Sequence, residues 1–303
     1  MKVIQRSDSH TDFLLENETG SGKMEMHEVF EGIYVAYNDF RLQTCESNVT
    51  TTKAMFGVEH CREGKIEWQL ENGDFAYLGA GCLMPCDYDQ NGQGHFEFPS
   101  RVYQGVTLYI ELPVAQQSLP AALDIDLSAL HARIQTAGTL DLTGASRATF
   151  VLGMVYEAQH QSMLHKKMAC LELLLFLSEL KWTDNAAQPL YFPAAQVMKI
   201  KEIEQFLSAH LDVRYTLQEL SERFEMPVST LRRCFSGVFG YSVAEYMKKR
   251  RIDEAVQLLS QTELPIADIS TNLGYENPSK FAAVFRSYMK ISPKMYRSQF
   301  KTK

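Results

Sequence analysis

The feature that most constrains this chain is a diverged repeat in its last third. "YTLQELSERFEMPVSTLRRCFSGVFGYSVAEYM" (215–247) lies over "LPIADISTNLGYENPSKFAAVFRSYMKISPKMY" (264–296). Leu217, Leu220 and Phe224 correspond to Ile266, Ile269 and Leu273 at an offset of 49. Leu231, Phe235, Ser242 and Tyr246 correspond to Phe281, Phe285, Ser292 and Tyr296 at an offset of 50, so the second copy gains one residue in its turn. Within each copy the apolar residues recur at helical spacing, which predicts helix, short turn, helix and then a third helix. The helix starts carry matching signals. Thr216 with Glu219 and Ser242 with Glu245 fit the reciprocal capping box. Asn277-Pro278 and Ser292-Pro293 each place a capping side chain before a proline at the first helical position, where a missing N–H costs nothing.

A helix-turn-helix presents its second helix at a size that enters the major groove of B-DNA. That helix needs an apolar side packed on the first helix and a polar or basic side outward. "VSTLRRCF" (228–235) meets both demands: Leu231 and Phe235 share one side, and Ser229, Arg232 and Arg233 fall on the other. A lone arginine pair is ordinarily a solvated face; the repeat gives this pair a reason to be kept. A guanidinium fork accepts a guanine edge in bidentate fashion. The charge distribution agrees. The net charge of −7 argues against a nucleic-acid partner, but residues 1–196 hold 13 Lys+Arg against 25 Asp+Glu (net −12), while residues 197–303 hold 17 against 12 (net +5).

These segments resemble the AraC/XylS family of bacterial transcription regulators over residues 200–298. "LQELSERFEMPVSTLRRCF" resembles the family's first unit, and "RIDEAVQLLSQTELPIADISTNLGYENPSKFAAVFRSYMKISPKMYR" its linking helix, second unit and terminal signature. The resemblance implies a transcription regulator, not an enzyme, that needs no cofactor. It binds promoter or operator double-stranded DNA through two helix-turn-helix units and contacts RNA polymerase if it is an activator. Carried over by position, Ser229, Arg232 and Arg233 of the first recognition helix face bases, as do Ser279, Lys280 and Ala283 of the second. Thr216, Lys248, Lys249, Arg250, Arg286 and Lys290 suit the phosphate backbone, which positions a protein without specifying sequence. Two departures stand out: Ala283 where a polar or basic residue is common, and Lys290 where glycine is usual.

The expected fold class is α+β: an N-terminal cupin-like β-barrel or jelly roll with dimerisation helices, then an all-α domain with two helix-turn-helix units. The cupin assignment is by architecture, from aromatic and β-branched runs at 33–44, 53–61, 65–79 and 101–112 with turn residues between. The expected boundaries are a β sensor domain at 1–120, a helical dimerisation region at 121–182, a linker at 183–196 and the DNA-binding domain at 197–303. In "LHKKMACLELLLFLSELKW" (164–182), Leu164, Met168, Leu171 and Leu175 recur near helical spacing. The stripe reads either as a helix buried on the sheet or as a homodimer seam, with the second favoured because so wide an apolar face needs more than one neighbour.

For an effector pocket the candidates are Tyr34, Tyr37, His60, Arg62, Trp68 and Tyr77, against the plainer reading of a packed aromatic core. An arginine beside aromatics suits an anionic or aromatic small molecule. His60 and His95 are isolated, and Cys82 and Cys86 lack a second cysteine pair, so no metal is expected. No signal-peptide core or run of membrane-spanning length occurs, which predicts a cytoplasmic protein with reduced thiols. The rival readings are a DNA-binding regulator controlled by a protein partner or by abundance, and a cupin-type enzyme.

Overall fold

The computed structural model describes residues 2–7, 9–47, 55–69, 72–87, 94–182 and 192–300. The chain divides into two compact units, Met1–Pro193 and Ala194–Lys303. The first is an antiparallel sheet with helices packed on one face, and the second is helical. Residues 183–191, most of the expected linker, lie outside the described residues, and Ala194, Ala195 and Gln196, also assigned to it, instead open a helix.

In the first unit, β1 (Lys2–Ser7), β2 (His10–Asn17), β3 (Gly20–Phe30) and β4 (Ile33–Arg41) form a meander. β5 (Thr44–Ser47), β6 (Met55–Gln69), β7 (Phe75–Gly79), β8 (Cys82–Asp87), β9 (Gly94–Glu97) and β10 (Tyr103–Glu111) follow. The main path runs β1-β2-β3-β4-β10-β6-β8-β11, where β11 is Leu140–Asp141. Among the described residues this path does not close into a ring, so a mixed fold with a large antiparallel sheet is established and a cupin-like barrel is not. β6 explains why. Its first part pairs with β10 and β8 and its last part with β7 and β9. The change falls where the register against β10 slips between Gln104 and Gly105, beside Gly64 at φ +84°. A long strand bent at a bulge serves two layers in place of one closed ring.

The helices are α1 (Leu112–Ser118), α2 (Leu127–Ile134), α3 (Ser146–Ala158) and α4 (Met163–Glu179). They bury their apolar sides on the sheet: Val35, Tyr37, Val58 and Leu108 meet Leu130, Val151, Leu152, Cys170, Leu173 and Leu177 in one core. A second cluster, with Leu42, Ile66, Phe98 and Tyr103, fills the space around the bend. α4 packs Ala169, Cys170, Leu173, Leu174, Phe176 and Leu177 inward. The stripe of Leu164, Met168 and Leu175 stays 67%, 58% and 40% exposed, while Leu171 packs partly on the core. The buried-helix reading therefore holds for one face of α4 and not for this stripe.

The second unit runs α5 (Ala194–Ala209), α6 (Leu217–Arg223), α7 (Val228–Phe239), α8 (Val243–Gln261), α9 (Ile266–Asn272), α10 (Pro278–Met289) and α11 (Pro293–Ser298). All four expected caps form. Thr216 and Ser242 close reciprocal boxes with Glu219 and Glu245, and Asn277 and Ser292 accept from the amides of Lys280 and Met295. The repeat's apolar pairs are its core, with Leu220, Ile269, Leu231, Phe281, Phe235 and Phe285 fully buried.

Candidate nucleic-acid interface

α7 is held by Leu231, Cys234, Phe235 and Val238, all buried, and Phe235 stacks near Phe239 and Tyr246. The side left outside carries Ser229, Arg232, Arg233 and Ser236, at i, i+3, i+4 and i+7. Ser236 was not picked out from sequence; its hydroxyl donates to the Arg232 carbonyl at 2.8 Å. α10 repeats the plan. Phe281 and Phe285 are buried, and Ser279, Lys280, Ala283 and Arg286 are exposed. The 19-residue α8, about 28 Å long at 1.5 Å per residue, joins the two units.

Between the recognition helices lies a hollow of about 690 Å³. It gathers Thr216, Arg232, Lys248, Lys280 and Ala283, five of the expected contact residues, from α7, α8, α10 and the start of α6. Ser229, Arg233, Lys249, Arg250, Ser279, Arg286 and Lys290 do not line it. Several cations carry other duties. Lys280 pairs with Glu276 at 2.6 Å, Lys249 lies over the Tyr241 ring at 5.1 Å, and the Lys290 ammonium donates to the Ser287 carbonyl at 2.9 Å. Thr216 spends its hydroxyl in the cap, where the Glu219 carboxyl is held below its usual range by hydrogen bonds from the Thr216 amide and hydroxyl. The hollow also takes in Arg214 and Tyr215, which sequence reading passed over because they precede any helical pattern.

The effector candidates scatter in the first unit. Tyr37 and Arg62 share a polar hollow of about 390 Å³ with Asn38, Gln104, Tyr156 and Gln159. The Tyr37 hydroxyl donates to the Val155 carbonyl, and the Arg62 guanidinium lies 4.8 Å from the centre of the Tyr156 ring. His60 joins through Tyr156, whose hydroxyl sits 2.8 Å from its Nδ1; burial, then the neighbouring Arg62 charge, pulls the His60 pKa down to about 4. The other three candidates are elsewhere. Tyr34 is on the opposite face of β4 from Tyr37, Trp68 packs on the cluster at the bend, and Tyr77 is buried edge-on against Phe192. Among the described residues no three acidic, histidine or cysteine side chains come together as metal ligands, and the six thiols are free. No helix among the described residues is long and apolar enough to cross a membrane.

A domain family described as "Helix-turn-helix domain" matches residues 220–299. The uncharacterized HTH-type transcriptional regulator YdiP of Escherichia coli K12 is 38% identical over 102 residues, 34% of either chain. The arabinose operon regulatory protein of the same organism is 30% identical over 101 residues, 33% of this chain and 35% of its own. The HTH-type transcriptional activator RhaR of Mannheimia succiniciproducens is 25% identical over 142 residues, 46% of this chain and 49% of its own. The chain thus spans between a third and a half of the length of these relatives, whose names describe regulators. The C-terminal unit is an AraC-type helix-turn-helix domain.

Proposed function

We propose that the protein is a DNA-binding transcription regulator whose two recognition helices, α7 and α10, enter successive major-groove segments of an operator. The observation that carries this reading is the paired exposed faces of α7 and α10, each backed by a buried phenylalanine pair or its equivalent, in an AraC-type domain. Arg232 and Arg233 read base edges, Lys280 and Ala283 contact the second segment, and Lys248, Arg286 and Lys290 meet phosphates. Site selection from random duplexes with the full chain tests it. A recovered motif, bound with a log–log salt slope of about −0.9 per phosphate contacted, is expected; no enriched sequence and a flat salt dependence refute it.

The N-terminal unit is the sensor, an open relative of the cupin-like sheet, acting in the cytoplasm as part of a homodimer. The support for the dimer is the stripe of Leu164, Met168 and Leu175, exposed on a helix whose other face is core. Because these side chains are outside the core, Leu164→Glu combined with Met168→Glu should give a folded monomer in sedimentation. A wild type that is monomeric at high concentration removes the claim. The effector's place is the hollow of Tyr37, Arg62 and Tyr156. It touches the last turn of α3 next to the start of α4, so a ligand there bears on the helix that carries the stripe.

A further inference from the structure

Two histidines of the first unit face each other with room for one hydrogen between them. His10 of β2 and His27 of β3 are register partners, and their Nδ1 atoms lie 3.0 Å apart. His10 Nε2 is 2.8 Å from Asp12 Oδ1, a bent contact, but one so short against a carboxylate that this nitrogen must carry a hydrogen. A neutral His10 therefore accepts at Nδ1, and His27 donates from its own Nδ1. His27 Nε2 is then bare, buried and without a hydrogen-bond partner among the described residues. His27 is 8% exposed and shares its face of β3 with Val29, part of the core on which α4 packs. The charged and titratable groups around the pair are Asp12 of β2, Lys23 and Glu25 of β3, Tyr37 of β4 and Lys166 of α4, itself 6% exposed. Two ammonium groups and two carboxylates balance with both histidines neutral.

We propose that the His10–His27 pair is a proton-sensitive latch between the sheet and α4: neutral, it holds; protonated, it parts and lets the helix loosen. The count of hydrogens carries this. A proton on His27 enters at Nε2, where no acceptor among the described residues meets it. Passing the shared hydrogen to His10 moves the charge toward Asp12 but leaves that Nε2–H buried and unpaired, which is costly. A further proton sets two N–H groups against each other across 3.0 Å. Burial, then the charges of His10 and Lys166, pull the His27 pKa down to about 4. An imidazole freed to water titrates near its ordinary value of about 6.5. As pH falls the loosened form takes the proton first, so the latch is whole above about pH 6.5 and is lost between there and about pH 4. α4 also carries the exposed stripe of Leu164, Met168 and Leu175, so its loosening bears on assembly. That consequence rests on the dimer reading; the latch itself does not.

The test uses the full chain and the hydrogen exchange of the α4 amides, divided by their intrinsic rates at each pH. In the wild type the helix should open roughly twentyfold more at about pH 5 than at about pH 7.5. His27→Asn keeps a donor near the place of Nδ1 and cannot titrate, so most of that rise should vanish. The same rise in His27→Asn, or no rise in the wild type, overturns the latch. The ring nitrogens of the wild type give a second reading that needs no variant. At about pH 7.5 their NMR shifts should show His10 protonated on Nε2 and His27 on Nδ1; both rings protonated on Nε2 alone overturns the pairing. Sedimentation over the same range should show the dimer weakening in the wild type and not in His27→Asn. A dimer indifferent to pH, beside a helix that does open, overturns the link to assembly and leaves the latch standing.

Discussion

The two helix-turn-helix units share one shape but distribute the same devices in opposite ways. In the first, Thr216 caps α6 while α7 starts behind Pro227 with no side-chain cap. In the second, α9 starts uncapped behind Pro265 and Asn277 caps α10. The left-handed residues are exchanged too. The turn between helices holds Glu225 at φ +48° in the first unit and Gly274 at φ +70° in the second. The residue closing the recognition helix is Gly240 at φ +79° in the first and Lys290 at φ +62° in the second. What the fold requires is a left-handed backbone at each of these places. Glycine is obligatory only where a side chain has no room. A Cβ on Gly274 would sit 2.4 Å from the Asp212 carbonyl oxygen, whereas nothing lies within 4 Å of one on Gly240.

The largest effect expected from this contrast is that of Gly274→Ala. Left-handed strain of about 1–2 kcal/mol adds to a backbone clash, for a loss of about 3 kcal/mol, against about 1 kcal/mol for Gly240→Ala. Urea unfolding of both variants checks it, and equal losses would break the argument from room. Next come the caps. Asn277→Ala and Thr216→Ala should each cost about 1 kcal/mol. Asn277→Ala also loosens a recognition helix, so it should weaken DNA binding beyond its effect on stability, and an affinity loss no larger than the stability loss implies would erase that role for the cap. Smallest are Glu225→Gly and Lys290→Gly, which relieve strain and should each stabilise by up to about 1 kcal/mol. The second also removes a cation, so it should reduce the salt slope by about one unit while Glu225→Gly leaves it alone.

Much of the C-terminal unit was legible because its signals are local. A hydroxyl three residues before a glutamate, or a phenylalanine four residues after a leucine, is readable without knowing the fold, and Thr216, Ser242, Leu231 and Phe235 do what their spacing implies. The N-terminal unit was less so. β1, β2 and β3 escaped notice because "HTDFLLEN" and "GSGKMEMHEVF" are polar strands with many half-buried positions and weak β-propensity. The open path escaped because closure depends on where β6 bends, which composition does not encode. In the polar hollow, Tyr37 and Arg62 were named from sequence as an aromatic and a cation, and they come together from β4 and β6 with β10 between. Tyr156 was not: it meets His60 across 96 residues of sequence, a pairing that only the packing of α3 on the sheet creates. The reverse held for Trp68 and Tyr77, where the plain reading as core aromatics describes what they do.

The contrast between the units reaches their faces. α7 exposes Arg232 and Arg233, two forks able to take guanine edges, where α10 has the half-buried Ala282 and exposed Ala283 and then Arg286 one turn on. The central claim is that the first unit selects sequence and the second mainly anchors the backbone. Its most direct test is the affinity of the full chain for its selected duplex and for random duplex, at several salt concentrations, in Arg233→Ala and Arg286→Ala. Arg233→Ala should cost about 1–3 kcal/mol on the selected site and less on random DNA, shrinking the ratio between them. Arg286→Ala should weaken both alike and lower the magnitude of the salt slope by about one. An unchanged ratio in Arg233→Ala together with a reduced one in Arg286→Ala would contradict the account.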